Sequence, residues 1–121
     1  MDNDHLHDLF SLFGPITIKK MFGGKGIYAD GSIIALELSK GELVFKADDQ
    51  CAVDFASAGC RQWMYEGKKG KVVAMPYWTV PESAFDDAYE MAGWAGKALL
   101  ASRRVAAKAK PKSPRGKKPK T

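Results

Sequence analysis

Hydrophobic and polar positions alternate along this chain with two different periods, and the switches between them outline the elements. Leu6, Leu9, Phe10 and Phe13 fall three and four residues apart, which gathers them on one face of a helix over Asp4–Phe13. Asp2, Asn3 or Asp4 can cap that helix, and Gly14-Pro15 stops it. The period then changes to two. Ile16, Ile18 and Lys20 face opposite to Thr17, Lys19 and Met21, as in a strand. Gly23-Gly24 turns into a short strand over Lys25–Ala29, and Asp30-Gly31 is a two-residue hairpin signal leading into a strand over Ser32–Leu38. Lys40-Gly41 turns again, and Glu42–Lys46 alternates as the fourth strand.

Asp48 has the position of an N-cap for a second helix running through Val53 and Phe55 to Gly59. Gln62–Glu66 is strand-like, Gly67–Gly70 is a turn, and Lys71–Val80 is a longer strand interrupted near Met75-Pro76. Pro76 has no amide hydrogen to give to a ladder, so this strand is expected at a sheet edge or with a bulge at that point. Pro81-Glu82 opens a last helix to about Ser102, with Phe85, Tyr89, Ala92, Ala95 and Leu99 as its apolar stripe and Trp94 off it, nearer Ala98. The order α-β-β-β-β-α-β-β-α, with short hairpin links, predicts an antiparallel sheet of five to six strands with the helices on one face. The fold class is thus α+β, a two-layer sandwich. No internal repeat is visible.

Charge divides the chain in two. Residues 103–121 contain Arg103, Arg104, Lys108, Lys110, Lys112, Arg115, Lys117, Lys118 and Lys120 and no acid. The other ten of the 19 Lys and Arg lie before residue 103 together with all 14 Asp and Glu, so the part that folds is mildly acidic. The chain is therefore read as one domain over 1–102 followed by a disordered basic tail over 103–121, with Val105–Ala109 able to prolong the helix by a turn. No run approaches the roughly 18 apolar residues of a membrane span, and the acidic start, Met1-Asp2-Asn3-Asp4, is unlike an export signal. A cytoplasmic location without membrane contact is the expectation.

Candidate chemistry is sparse. Phe22-Gly23-Gly24-Lys25-Gly26 is glycine-rich, yet a phosphate-binding loop needs Lys followed by Ser or Thr at the opening of a helix, and here a hairpin follows. The run is read as a tight turn. His5 and His7 point about 200° apart on a helix and cannot share a metal. Cys51 and Cys60 have no zinc-site spacing and read as reduced helical thiols. Asp48-Asp49 and Asp86-Asp87 fall in first helical turns, where carboxylates oppose the helix dipole. No catalytic set, metal or cofactor is expected. Trp63 and Tyr65 share a face and, beside Lys68, Lys69 and Lys71, are of a kind that stacks bases, but a core face is the expected destination.

Met21-Phe22-Gly23-Gly24-Lys25-Gly26-Ile27-Tyr28-Ala29-Asp30-Gly31 resembles the signature of the TfoX/Sxy N-terminal domain. The likeness continues through Ile34-Ala35-Leu36, Glu42–Ala47, Tyr65, Met75-Pro76-Tyr77-Trp78, Val80-Pro81 and Trp94–Leu99, so it spans nearly all of 6–102. The resemblance implies a two-layer α+β fold and a cytoplasmic bacterial regulator without catalysis. It also implies co-activation of competence genes alongside the cyclic-AMP receptor protein. Within the motif, Met21, Phe22, Gly23, Gly24, Gly26, Tyr28 and Gly31 read as turn and packing residues. The tail is expected to associate with DNA: its density of cations would neutralise several phosphates, and Pro114–Lys120 resembles an AT-hook with lysines in place of its second arginine. The alternative is a protein-interaction module whose tail only keeps it soluble.

Overall fold

The computed structural model describes residues 1–21 and 23–109. Its elements follow the predicted order: α1 (Asn3–Leu9), β1 (Thr17–Met21), β2 (Gly24–Ala29), β3 (Ser32–Glu37), β4 (Leu43–Lys46), α2 (Asp49–Ser57), β5 (Gln62–Glu66), β6 (Val72–Thr79) and α3 (Ala88–Ala109). The six strands form one antiparallel sheet in the order β1-β2-β3-β4-β6-β5. The first four are successive hairpins. α2 then carries the chain to the far edge, and β6 returns between β5 and β4.

Local chemistry accounts for most of the boundaries. Asp2 caps α1, its carboxylate accepting from the His5 amide at 2.8 Å. Beyond Leu9 the chain tightens into single turns, with the Phe13 and Gly14 amides both donating to the Phe10 carbonyl, so the predicted helix to Phe13 ends one turn early. Asp30 and Gly31 both have positive φ, 51° and 78°, and close the β2–β3 hairpin as a two-residue turn. Pro76 resolves the edge-or-bulge alternative in favour of the bulge. β6 is internal, and three of its residues, Met75 to Tyr77, face only Trp63 of β5. The carbonyls there find other donors: the Ala47 amide to Pro76 and the Gln62 side chain to Met75, each at 2.9 Å.

The last helix differs from its prediction in two ways. Glu82–Asp86 is a separate 3-10 turn, and Asp87 is extended with its carboxylate accepting from the Tyr89 and Glu90 amides. That cap restarts the helix at Ala88 and rotates its register. Met91, Ala95, Ala98, Ala101 and Ser102 are buried, while Tyr89, expected on the buried stripe, is 81% exposed. α3 also continues through Ala109, so residues 103–109 are helix and not tail. Val105–Ala109 is rich in alanine, the best helix former, and contains neither Gly nor Pro. The remainder of the expected tail, 110–121, lies outside the described residues.

All three helices pack on one face of the sheet. Leu6 and Leu9 of α1 with Phe10 just beyond it, Ile27, Ile34 and Phe45 of the sheet, Phe55 of α2 and Met91 of α3 share one core. Aromatic rings thread it: Phe10 lies 6.0 Å from Phe45, Phe45 6.3 Å from Phe55, and Phe55 4.7 Å from Trp94. The opposite face has no helix over it among the described residues. Leu36, Val44 and Tyr77 are buried there by Met21, Ile33, Leu38, Trp63 and Met75.

Candidate interaction surfaces

The C-terminal cations were expected to act together, and the structure separates them. Arg103 lies 3.1 Å from Asp30 in the β2–β3 turn. Arg104 grips Asp48 with two hydrogen bonds, Nε to Oδ2 at 2.5 Å and Nη2 to Oδ1 at 3.0 Å. Asp48 also caps α2 by accepting from the Cys51 amide at 3.1 Å. One carboxylate thus receives the start of α2 and the last turns of α3 together. The Arg104 guanidinium holds its pKa well below the usual aspartate range, and Arg104 is raised in return. Lys108, in contrast, is exposed and has no carboxylate partner among the described residues. Lys110, Lys112, Arg115, Lys117, Lys118 and Lys120 lie outside them.

The glycine-rich motif is a hairpin, as the sequence suggests, and its residues serve packing. Gly23 and Gly31 occupy turns with positive φ. Gly24 passes so close to β3 that a Cβ there would sit 1.9 Å from the Glu37 carbonyl oxygen. At Gly26 a Cβ would meet the Met21 sulfur at 2.6 Å and the Tyr28 ring at 3.1 Å, because both side chains fold over it on the helix-free face. Phe22 is outside the described residues. A shallow hollow beside this turn is lined by Met1, Lys20, Lys25 and Glu37, and of these charges only Lys20 has no partner among the described residues. The Met1 amino group lies 2.7 Å from buried Glu37, and Lys25 donates to the Met1 carbonyl and to Asn3. The hollow offers no set of vacant donors for an anion.

A helix-free sheet face is what the expected two layers require, but its aromatic lining was not anticipated. Trp63 and Tyr65, expected to face the core, point to it, because pairing with β6 puts Trp63 beside Tyr77. Trp63 meets both Tyr65 and Tyr77 edge-on at 6.1 Å. The ammonium of Lys46 sits 5.2 Å from the Tyr77 ring centre, and that of Lys19 sits 4.9 Å from Tyr28. Burial lowers the Lys46 pKa and raises that of Tyr77. Strand positions on this side carry those two lysines and no carboxylate, although the domain as a whole is acidic. Period-two alternation in 62–66 could have shown that Trp63 and Tyr65 act together, though not which face the helices leave bare.

Reactive groups are few. Cys51 is buried and Cys60 partly so, and desolvation raises both thiols above their ordinary pKa, so neither is a ready thiolate at neutral pH. His5 and His7 are exposed on α1. Among the described residues no three His, Cys, Asp or Glu side chains come together as a metal site, and no helix is long and apolar enough to cross a membrane.

The described residues thus form a two-layer α+β domain whose helix-free sheet face carries a row of aromatic side chains. More particularly, the chain belongs to the TfoX N-terminal domain family, whose model matches residues 8–102. That family is a regulatory one, associated with competence and DNA transformation, and is not a known enzyme family. No curated protein matches the chain.

Proposed function

We propose that this chain is a non-enzymatic accessory transcription regulator of the competence type, whose folded domain contacts a protein partner while its C-terminal segment associates with DNA. The observation that carries the DNA half is the charge sequence after Arg104. Lys108, Lys110, Lys112, Arg115, Lys117, Lys118 and Lys120 follow without one acid, beyond the two arginines that the domain uses for its own ion pairs. The family supports the regulatory half, and the cyclic-AMP receptor protein is the partner that the resemblance suggests.

The test is a salt titration of duplex binding with the full chain and with a chain ending at Ala109. Ending at Ser102 would also remove Arg103 and Arg104, and so confuse lost binding with a loosened domain. Each phosphate neutralised steepens the log-log salt slope by about 0.9, so a slope between about −3 and −6, lost on truncation, is the expected result. Equal binding by the two chains overturns the DNA role.

A second reading, a protein-interaction module with a merely solubilising tail, is favoured by the apolar face around Leu36, Val44 and Tyr77, which no helix among the described residues covers. In that case duplex affinity is absent even at low salt, and capture of the partner survives nuclease.

A further inference from the structure

The sheet has two open edges, and they differ in chemistry. β1 carries Lys19 and Lys20, both exposed, and charged side chains of this kind deter another strand from adding to an edge. β5 carries a single charge, Glu66 at its last position. It reads Gln62-Trp63-Met64-Tyr65-Glu66, without lysine or proline, and the extra residues of the neighbouring bulge belong to β6. Met64 and Tyr65 are 52% and 51% exposed, and Val72 and Val73 beside them on β6 are exposed as well. An apolar strand whose outer amides and carbonyls have no partner among the described residues is a template for pairing.

We propose that β5 pairs antiparallel with β5 of a second copy of this chain, about a two-fold axis through Met64, joining two six-stranded sheets into one. A second copy is singled out because the strand is complementary to itself in this register. Met64 faces Met64, Trp63 faces Tyr65 of the second copy, and Gln62 faces Glu66, so no like charges are opposed and an amide donor meets each carboxylate. Trp63 and Tyr65 share a face, so both aromatic pairs fall on the helix-free side. There they extend the edge-on row Tyr77–Trp63–Tyr65 across the axis. Any other centre leaves part of the strand unpaired. The other edge of the molecule cannot do the same, because a symmetric β1 pair centred on Lys19 would set lysine against lysine. The edge is five residues long, so the dimer belongs to the weak, concentration-dependent class.

Sedimentation equilibrium of the full chain should show the mass rising from 13.2 kDa toward twice that value with concentration. Met64→Lys and Met64→Glu, at a half-exposed position, should each keep the circular dichroism of the parent and weaken self-association at least about tenfold, through like charges facing across the axis. Mixing the two variants should restore a dimer. As a second readout in the unaltered chain, amide exchange in residues 62–66 should slow as concentration rises. A chain ending at Ala109 should associate like the full one, which keeps this proposal separate from DNA binding. A single mass at every concentration, a dimer indifferent to Met64→Lys, or variants that stay apart when mixed would each overturn it.

Discussion

Asp48 does two jobs with one carboxylate, so its substitutions can separate them. Asp48→Asn keeps an acceptor for the Cys51 amide but loses the ion pair with Arg104, while Asp48→Ala loses both. The alanine variant is expected to unfold more easily than the asparagine variant by about 1 kcal/mol, the ordinary worth of a cap, measured by urea denaturation. Acid titration gives a second check. The folded-state pKa of Asp48 is depressed, so its contribution is complete above the unfolded value near 4 and drains away as pH falls toward the folded one. The stability of Asp48→Asn should therefore fall less between about pH 4 and pH 2 than that of the parent. Gly24 is the other exacting position. A methyl group there must push β2 away from β3, and Gly24→Ala is expected to cost about 2 kcal/mol, read as a lowered thermal midpoint. At the thiols, alkylation in the folded state should reach partly exposed Cys60 before buried Cys51, and both slowly, by mass spectrometry of a time course.

At the scale of elements, α3 shows how a local choice redirects a pattern. Phe85, Tyr89, Ala92, Ala95 and Leu99 do recur at helical spacing, but the Asp87 cap splits the run and only Ala95 of that set is fully buried. Truncations should follow the observed face. Met91→Ala is expected to cost about 2–5 kcal/mol and Tyr89→Ala almost nothing, again by urea denaturation. The elements that could be read from sequence are those specified by neighbours. The Asp30-Gly31 turn, the Asp48 cap and the Leu6-Leu9-Phe10 stripe need only a few adjacent residues and appear where expected. What escaped depends on distant partners. The insertion of β6 between β4 and β5, the placing of Trp63 and Tyr65 on the bare face, and the carboxylates awaiting Arg103 and Arg104 are set by tertiary packing. Of the candidate sites, the charged segment was legible as composition, but the two arginines nearest the domain looked like its other members until Asp30 and Asp48 came beside them.

Across the whole molecule, charge and apolar surface are sorted by side. Carboxylates cluster on the helices and turns, the bare face shows lysines over aromatic rings, and the cationic run leaves from the end of α3. A chain ending at Ala109 should melt at the temperature of the full chain, whereas one ending at Ser102 should melt lower, having lost the link from α3 to Asp48 and Asp30. Differential scanning calorimetry of the three chains compares them directly. The reach of α3 past Arg104 has an electrostatic effect as well. Five further helical residues, exposed along their length, advance the chain by about 7–8 Å along the axis before residue 110. That rise is close to the Debye length of about 8 Å at physiological ionic strength, so over the described end of the helix the field of acids at the level of Arg104 falls to roughly a third. The last described turn thus stands where the pull of the domain's own carboxylates has weakened.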